Sequence, residues 1–329
     1  MDLYEILKAA KIGSGAATDY YTALLAKSMP FANVDMNDYA AIAKIVRSGK
    51  ASQHFSIGQL IPMKYTATNG VKYDMPFVIV DFRDVTLRDG SSVPGMIIQS
   101  LYATLEAIQF DAAEPDRPAS EDYQGQIAAN GWNRYSHSAQ RQWLNSSAQK
   151  GEWWTPQNDY DVAPSQHNTY NGFMHGIPQK FLDMLKPVKV ETCRNYRDPD
   201  SAQSSSVYEY DETYDVFWLP SREEEYITVN EPNHREGRVW QYWIDKLTPE
   251  AIEKGEPLPQ VPYASEEVQH ILSSHRHFAL ENHSSAVVVR LRSAYRSSSR
   301  ITWSVGAAGY VTGSYAYGSY RCAPACAIC

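Results

Sequence analysis

The chain has 329 residues, of which 43% are hydrophobic and 21% charged, with a formal net charge of −8 and a pI near 5.6. That apolar content excludes a disordered polymer, and no run of about 18 apolar residues is present to cross a bilayer. Net acidity argues against non-specific nucleic-acid binding, so the outlying count is tyrosine: 23, against 9 Phe and 8 Trp.

Residues 1–50 read as a small helical extension, suited to oligomerisation or particle attachment. Acidic Asp2 and Glu5 stand where a secretory signal needs bases, so no signal peptide is expected. Leu3, Ile6, Leu7 and Ala10 recur at helical spacing until Gly13-Ser14-Gly15, and a second helical stretch runs from Asp19 to Leu25. Asn37 or Asp38 caps a third helix through Ile42 and Val46, closed by Ser48-Gly49. Three such helices bury little alone and must pack on a partner subunit or on the main domain.

From residue 53 the texture changes to strands. Phe55–Ile61 is followed by a turn at Asn69-Gly70, Phe77–Val80 reads as a buried strand, Asp89-Gly90 turns the chain, and Met96–Ile98 is the next strand. Polar residues 111–130 predict a loop, Trp132–Asn145 a helix, and 155–175 another loop. Phe181, Leu182 and Leu185 mark a short helix stopped by Pro187. Residues 195–206 form a serine-rich loop, Asp215–Leu219 a strand, and 228–265 an irregular stretch with a helix near Trp240–Leu247. The last strands begin at Val287–Leu291. Many short strands and long loops predict an α+β domain over 51–329.

Four cysteines occur, three of them as Cys322-x3-Cys326-x2-Cys329. Zinc takes four ligands and this tail has no His, so buried apolar thiols are the simpler reading and no metal or cofactor is expected. His270, His275, His277 and His283 read as exposed or core-satisfied, and Glu223-Glu224-Glu225 after Arg222 reads as a solvated charge run.

The segment 295–320 reads YRSSSRITWSVGAAGYVTGSYAYGSY, and 18 of its 26 residues are Tyr, Ser, Gly or Ala. Antibody paratopes have this composition: Tyr supplies amphipathic contact area at low entropic cost, and Ser and Gly adapt to it. Trp303, Val305, Gly309, Val311, Ala316 and Arg321 are expected on the inward face of strands, with Ser304, Tyr310, Thr312 and Ser314 outward. An edge hairpin without a binding role is the plainer alternative.

The run Trp303-Ser-Val305 … Gly309-Tyr-Val311 … Ala316 … Ser319-Tyr-Arg321-Cys322-Ala323-Pro324-Ala325-Cys326 resembles the variable region of diversity-generating retroelement target proteins. In that family an error-prone copy of a template, mutated at adenines, replaces the 3′ end of the gene. The resemblance implies a variable region over about 286–329. Within it the ligand-binding positions are Tyr295, Ser297, Ser298, Arg300, Ile301, Ser304, Gly306, Ala308, Tyr310, Thr312, Gly313, Ser314, Tyr315, Tyr317, Gly318 and Tyr320. Upstream, Trp132-Asn133-x-Tyr135-Ser136 … Arg141-x-Trp143-Leu144-Asn145, Phe181-Leu182-x-x-Leu185 and Asp215-Val216-Phe217-Trp218-Leu219-x-Ser221-x-x-Glu224 are similar to gut phage and bacterial domains. Those domains have a C-type lectin-like fold of the formylglycine-generating-enzyme-like branch.

The likeness spans residues 53–329. It implies short strands, two main helices and long loops, with Trp132, Arg141, Trp143, Trp218, Trp303 and Arg321 as constant scaffold. It also implies a non-enzymatic receptor-binding protein on a phage tail tip or fibre, recognising a bacterial surface protein or glycan. Expected partners are further copies of itself, a trimer by analogy, and other virion proteins, with no nucleic acid and no membrane insertion. The expected location is the virion after cytoplasmic assembly, with a bacterial surface-display protein as runner-up. Two rivals remain. A calcium-dependent sugar lectin would use Glu231-Pro232-Asn233 with Trp243-Ile244-Asp245 as its companion. A cysteine-oxidising enzyme would use Cys322 and Cys326, which have no adjacent base.

Overall fold

The computed structural model of the protein describes residues 34–227, 236–245 and 276–329, so the expected helices at 3–10 and 19–25, the tripeptide Glu231-Pro232-Asn233, His270 and His275 lie outside the described residues. Asp38 caps the first described helix, Tyr39–Arg47, by accepting the Ala41 N–H at 3.0 Å, and Ser48-Gly49 ends it with Gly49 at φ 74°. The helix packs on the main domain. Ile42, Ala43 and Val46 enter its core, and Arg47 Nε donates to the Cys329 carbonyl at 2.8 Å.

The core is built on a five-stranded sheet in the order Leu60–Ile61, Phe77–Thr86, Ser92–Ser100, Ala325–Ile328, Phe217–Trp218, with every neighbour antiparallel. Leu87–Ser91 closes the long hairpin, with Gly90 at φ 82° and Asp89 Oδ1 accepting the Ser91 N–H. Ala325–Ile328 lies between two strands from distant parts of the chain and is buried on both faces. Small and apolar residues are what such a slot accepts.

Five smaller sheets surround it among the described residues, and together with short helices they make a mixed α+β architecture without a barrel. Val289–Ala294, Ile301–Val305 and Val311–Tyr315 form an antiparallel meander. Val188–Cys193 pairs with Tyr210–Asp215 through six residue pairs. The first of these two strands carries no sequence expectation, and the second begins five residues before the strand expected at Asp215.

The helix expected over Trp132–Asn145 is confined to Ala139–Leu144, capped by Ser138, after a 3-10 turn at Tyr135–His137. Residues 132–134 stay extended because Trp132 and Asn133 bond outward through backbone and side chain. Conversely, the expected loop 111–130 contains a short helix at Gln126–Asn130, whose Ile127 and Ala128 N–H groups are taken by the Asp122 carboxylate. Residues 241–245 are helical, inside the helix expected near Trp240–Leu247.

Candidate ligand-binding face

In the meander, Ile301, Trp303 and Val305 sit opposite Tyr315, Gly313 and Val311, so these six share one face. One end of that face is sealed: Trp303, Val305 and Val311 join Ala103, Ile227, Val289 and Leu291 in a small separate core. The other end, at Ile301 and Tyr315, opens to solvent, and the turn beyond Val305 and Val311 exposes Tyr310. Tyr310, Tyr315 and Tyr317 are 48%, 42% and 43% exposed, and they are the exposed Phe, Tyr or Trp side chains among the described residues. Tyr315 and Tyr317 stack with centroids 5.9 Å apart, and the Arg300 guanidinium lies 5.2 Å from the Tyr315 ring centre.

Of the sixteen expected ligand-binding positions, Ser297, Ala308, Tyr310, Gly313, Tyr315 and Tyr317 are exposed. Tyr295, Arg300, Ile301, Thr312, Gly318 and Tyr320 are half-buried. Four are buried, which corrects their expected place. Ser304 lies on the middle strand with Arg290 and Thr312 as neighbours, and its hydroxyl has no hydrogen-bond partner among the described residues. Ser314 is covered through its neighbour Arg290, whose Nη1 reaches the Ser314 carbonyl at 3.1 Å. Ser298 donates to Gln126 Oε1 at 3.0 Å, and Gly306 sits in the turn that closes on Tyr310. Alternation correctly separates the strand faces; here the polar face is covered as well. Ala307 and Ser319, absent from the expected set, are exposed.

The segment is gripped by its carbonyls. Asn133 Nδ2 donates to the carbonyls of Ser298 at 2.6 Å and Ile301 at 2.7 Å, with a longer bond to Tyr295 at 3.4 Å. The fully buried Arg290 donates to the carbonyls of Ser314, Tyr315 at 3.0 Å and Gly318 at 2.8 Å, and its guanidinium lies over the Tyr320 ring. Gln109 holds the Tyr317 carbonyl and Gln140 that of Tyr320, while the Asn130 carbonyl takes the Tyr317 N–H at 2.8 Å. By contrast, the hydroxyls of Tyr310, Tyr315 and Tyr317 make no hydrogen bond among the described residues. Backbone geometry sorts the glycines in the same way. Gly309 has φ 90°, a conformation that favours Gly, whereas Gly306, Gly313 and Gly318 have no positive φ.

Of the expected scaffold residues, Trp132, Trp143, Trp218 and Trp303 are buried. Trp132 donates its indole N–H to Asp198 at 2.6 Å, and the Arg117 and Arg134 guanidinium groups lie over its ring. Arg141 pairs with the buried Asp215 at 2.7 Å, Trp143 donates to the Asn171 carbonyl, and Trp218 is buried in the central sheet. Trp303 lies under the Arg222 guanidinium and beside Tyr295. Arg321 does not face inward as expected: it is half-buried and makes two bonds to Glu281, at 2.6 and 2.8 Å.

Glu223-Glu224-Glu225 is not a solvated run. All three residues are buried, with Glu224 bound to Arg292 and Glu225 accepting from Gln99 at 2.6 Å. Arg292, on the edge strand of the meander, holds Glu224. The four cysteines are buried thiols, and burial pushes the Cys322 thiol up to about 12 and raises that of Cys326. His277 is buried 3.8 Å from Glu225, and His283 stacks on Tyr102.

One group escaped the sequence reading. Asp111, Glu114 and Asp161 each place a carboxylate oxygen within 4.8 Å of the others, the first two buried and the third half-buried. Burial, reinforced by the neighbouring carboxylates, raises the Asp111 carboxyl well above its ordinary range. Burial pushes Asp161 up to about 6. The Asp-x-x-Glu spacing alone carries no signal, and Asp161 arrives from a distant loop.

No curated protein and no solved structure matches the chain. A family model matches residues 108–329, a span that includes the carbonyl grips, the scaffold motifs and the tyrosine-bearing segment. The chain belongs to the family described as Domain of unknown function (DUF6273).

Proposed function

We propose that the protein is a ligand-binding protein with a C-type lectin-like fold and a hypervariable face, diversified by a retroelement and serving as a phage receptor-binding protein. The observation that carries this reading is the division of labour within 295–320. Asn133, Arg290 and Gln109, all outside the segment, hold its backbone, while the rings of Tyr310, Tyr315 and Tyr317 face solvent without hydrogen-bonding obligations to the described fold. Side chains placed this way can be exchanged without the roughly 1–5 kcal/mol penalties of core changes.

The receptor is a protein or glycan of a bacterial surface. Tyr310, Tyr315 and Tyr317 act as anchors, Arg300 contributes charge beside them, and several copies on one particle raise a modest affinity through avidity. The buried Ser298, Ser304, Gly306 and Ser314 belong to the support, and the mutable set is proposed to centre on the twelve positions that reach the surface.

The test is genomic. A near-copy of the DNA for residues 286–329, differing at adenines alone and lying beside a reverse transcriptase gene, is the expected finding. Differences spread over all four bases would end the retroelement reading.

A further inference from the structure

We propose that Asp111, Glu114 and Asp161 form a binding site for a divalent cation of the calcium class, set behind the loop that carries Tyr317. Three observations lead there. First, the donor oxygens lie within 4.8 Å of one another. Calcium binds oxygen at about 2.3–2.6 Å, so two ligands of one ion stand up to about 5 Å apart.

Second, the hydrogen-bond inventory leaves specific oxygens over. Asp111 Oδ2 accepts the Trp132 N–H at 3.1 Å, and Asp161 Oδ2 accepts the Gln157 N–H at 2.7 Å. The second oxygens, Asp111 Oδ1 and Asp161 Oδ1, are enclosed and have no donor among the described residues, and Asp111 is only 2% exposed. A buried carboxylate oxygen without an N–H donor is costly, and a cation removes that cost.

Third, the charges do not balance. Three carboxylates face one guanidinium, that of Arg117, which pairs with Glu114 at 2.5 Å. With all three carboxyls ionised, the form that a cation would bind, the remainder is two negative charges, the charge of one divalent ion. Asn158 completes the surroundings with a long bond to Glu114 Oε1 at 3.4 Å. The remaining coordination positions fall to neutral oxygens and water.

The site is joined to the proposed binding face through the backbone. The Asp111 N–H donates to the Ala316 carbonyl at 3.2 Å, next to Tyr317, whose own N–H is held by Asn130. A cation here therefore tightens the base of the tyrosine loop. The proposal does not depend on how that loop is used.

The full chain, stripped with chelator, is titrated with calcium and followed by thermal melting. Terbium luminescence, excited through the neighbouring Trp132 and Tyr160, reads the site directly. Saturating calcium is expected to raise the melting temperature by roughly 5 °C or more. The Asp161→Asn variant, changed at the most accessible of the three carboxylates, is expected to lose both the shift and the terbium signal. Without metal it is expected to melt at or above the metal-free parent, because like-charge repulsion is relieved. No calcium shift in the parent, or a shift and a terbium signal that survive Asp161→Asn, would overturn the proposal and leave the carboxylates balanced by protons.

Discussion

Asn133 shows how much one side chain can organise. Its amide donates to carbonyls on both arms of the 295–301 turn and its Oδ1 accepts from Asn195 at 2.8 Å, all within the interior. Truncation to Ala leaves several buried groups unpaired, each worth about 1–3 kcal/mol. Asn133→Ala is therefore expected to lose about 2–4 kcal/mol in urea unfolding, and Tyr315→Ala, at an exposed ring, less than about 1 kcal/mol. Equal losses would mean that the tyrosine is structural.

Only part of this was legible in the sequence. Asn133 stands inside a recognisable motif, but the three carbonyls it holds lie more than 160 positions away and leave no local trace. Glu223–Glu225 misleads for a related reason: three adjacent acids read as solvated until Arg292 and Gln99 are brought to them by the fold. Exposure of Tyr310, Tyr315 and Tyr317 was readable because small residues surround them in the sequence.

At the scale of elements, the meander depends on its turn at 306–310, where Gly306 N–H donates to the Tyr310 carbonyl and Gly309 N–H to that of Gly306, both at 2.8 Å. Gly309→Ala forces a Cβ into a left-handed backbone and is expected to cost about 1–2 kcal/mol. Gly313→Ser is expected to cost under about 1 kcal/mol. Its backbone suits any residue, but the added Cβ meets Cγ2 of the half-buried Ile301 at 2.8 Å, so that side chain must give way slightly. Paired thermal melts of the two variants check the contrast.

Elements bounded by turn chemistry were the readable ones: the Asp89-Gly90 hairpin and the Asp38-capped helix both follow their local signals. The segment 132–138 follows a different rule. A helical pattern there yields to outward hydrogen bonds from Trp132 and Asn133, a tertiary effect that local periodicity does not encode.

For the molecule as a whole, the helix Tyr39–Arg47 is a working part of the core. Ile42 and Val46 are fully buried, the Tyr39 ring meets Phe181 edge-on, and Arg47 reaches the Cys329 and Asp183 carbonyls. Burial of such side chains stabilises by about 1.5–3 kcal/mol each, so their sum approaches the net stability of an ordinary domain, about 5–15 kcal/mol. A chain beginning at Ala51 is expected to be insoluble or to melt at least about 10 °C lower, whereas a chain beginning at Val34 keeps every contact named here. Circular dichroism melts of the two truncations decide the matter.

The strand Ala325–Ile328 bears on biosynthesis. Both of its sheet neighbours, Ser92–Ser100 and Phe217–Trp218, are translated long before it, and they are bridged through it. Until those four residues leave the ribosome the central sheet has a gap in its middle, with Ile97, Ile98 and Phe217 lacking their cover. From the emergence of Ser92–Ser100 to that of Ala325–Ile328 the nascent chain therefore carries an exposed strand edge, which calls for a holding chaperone or rapid closure on emergence.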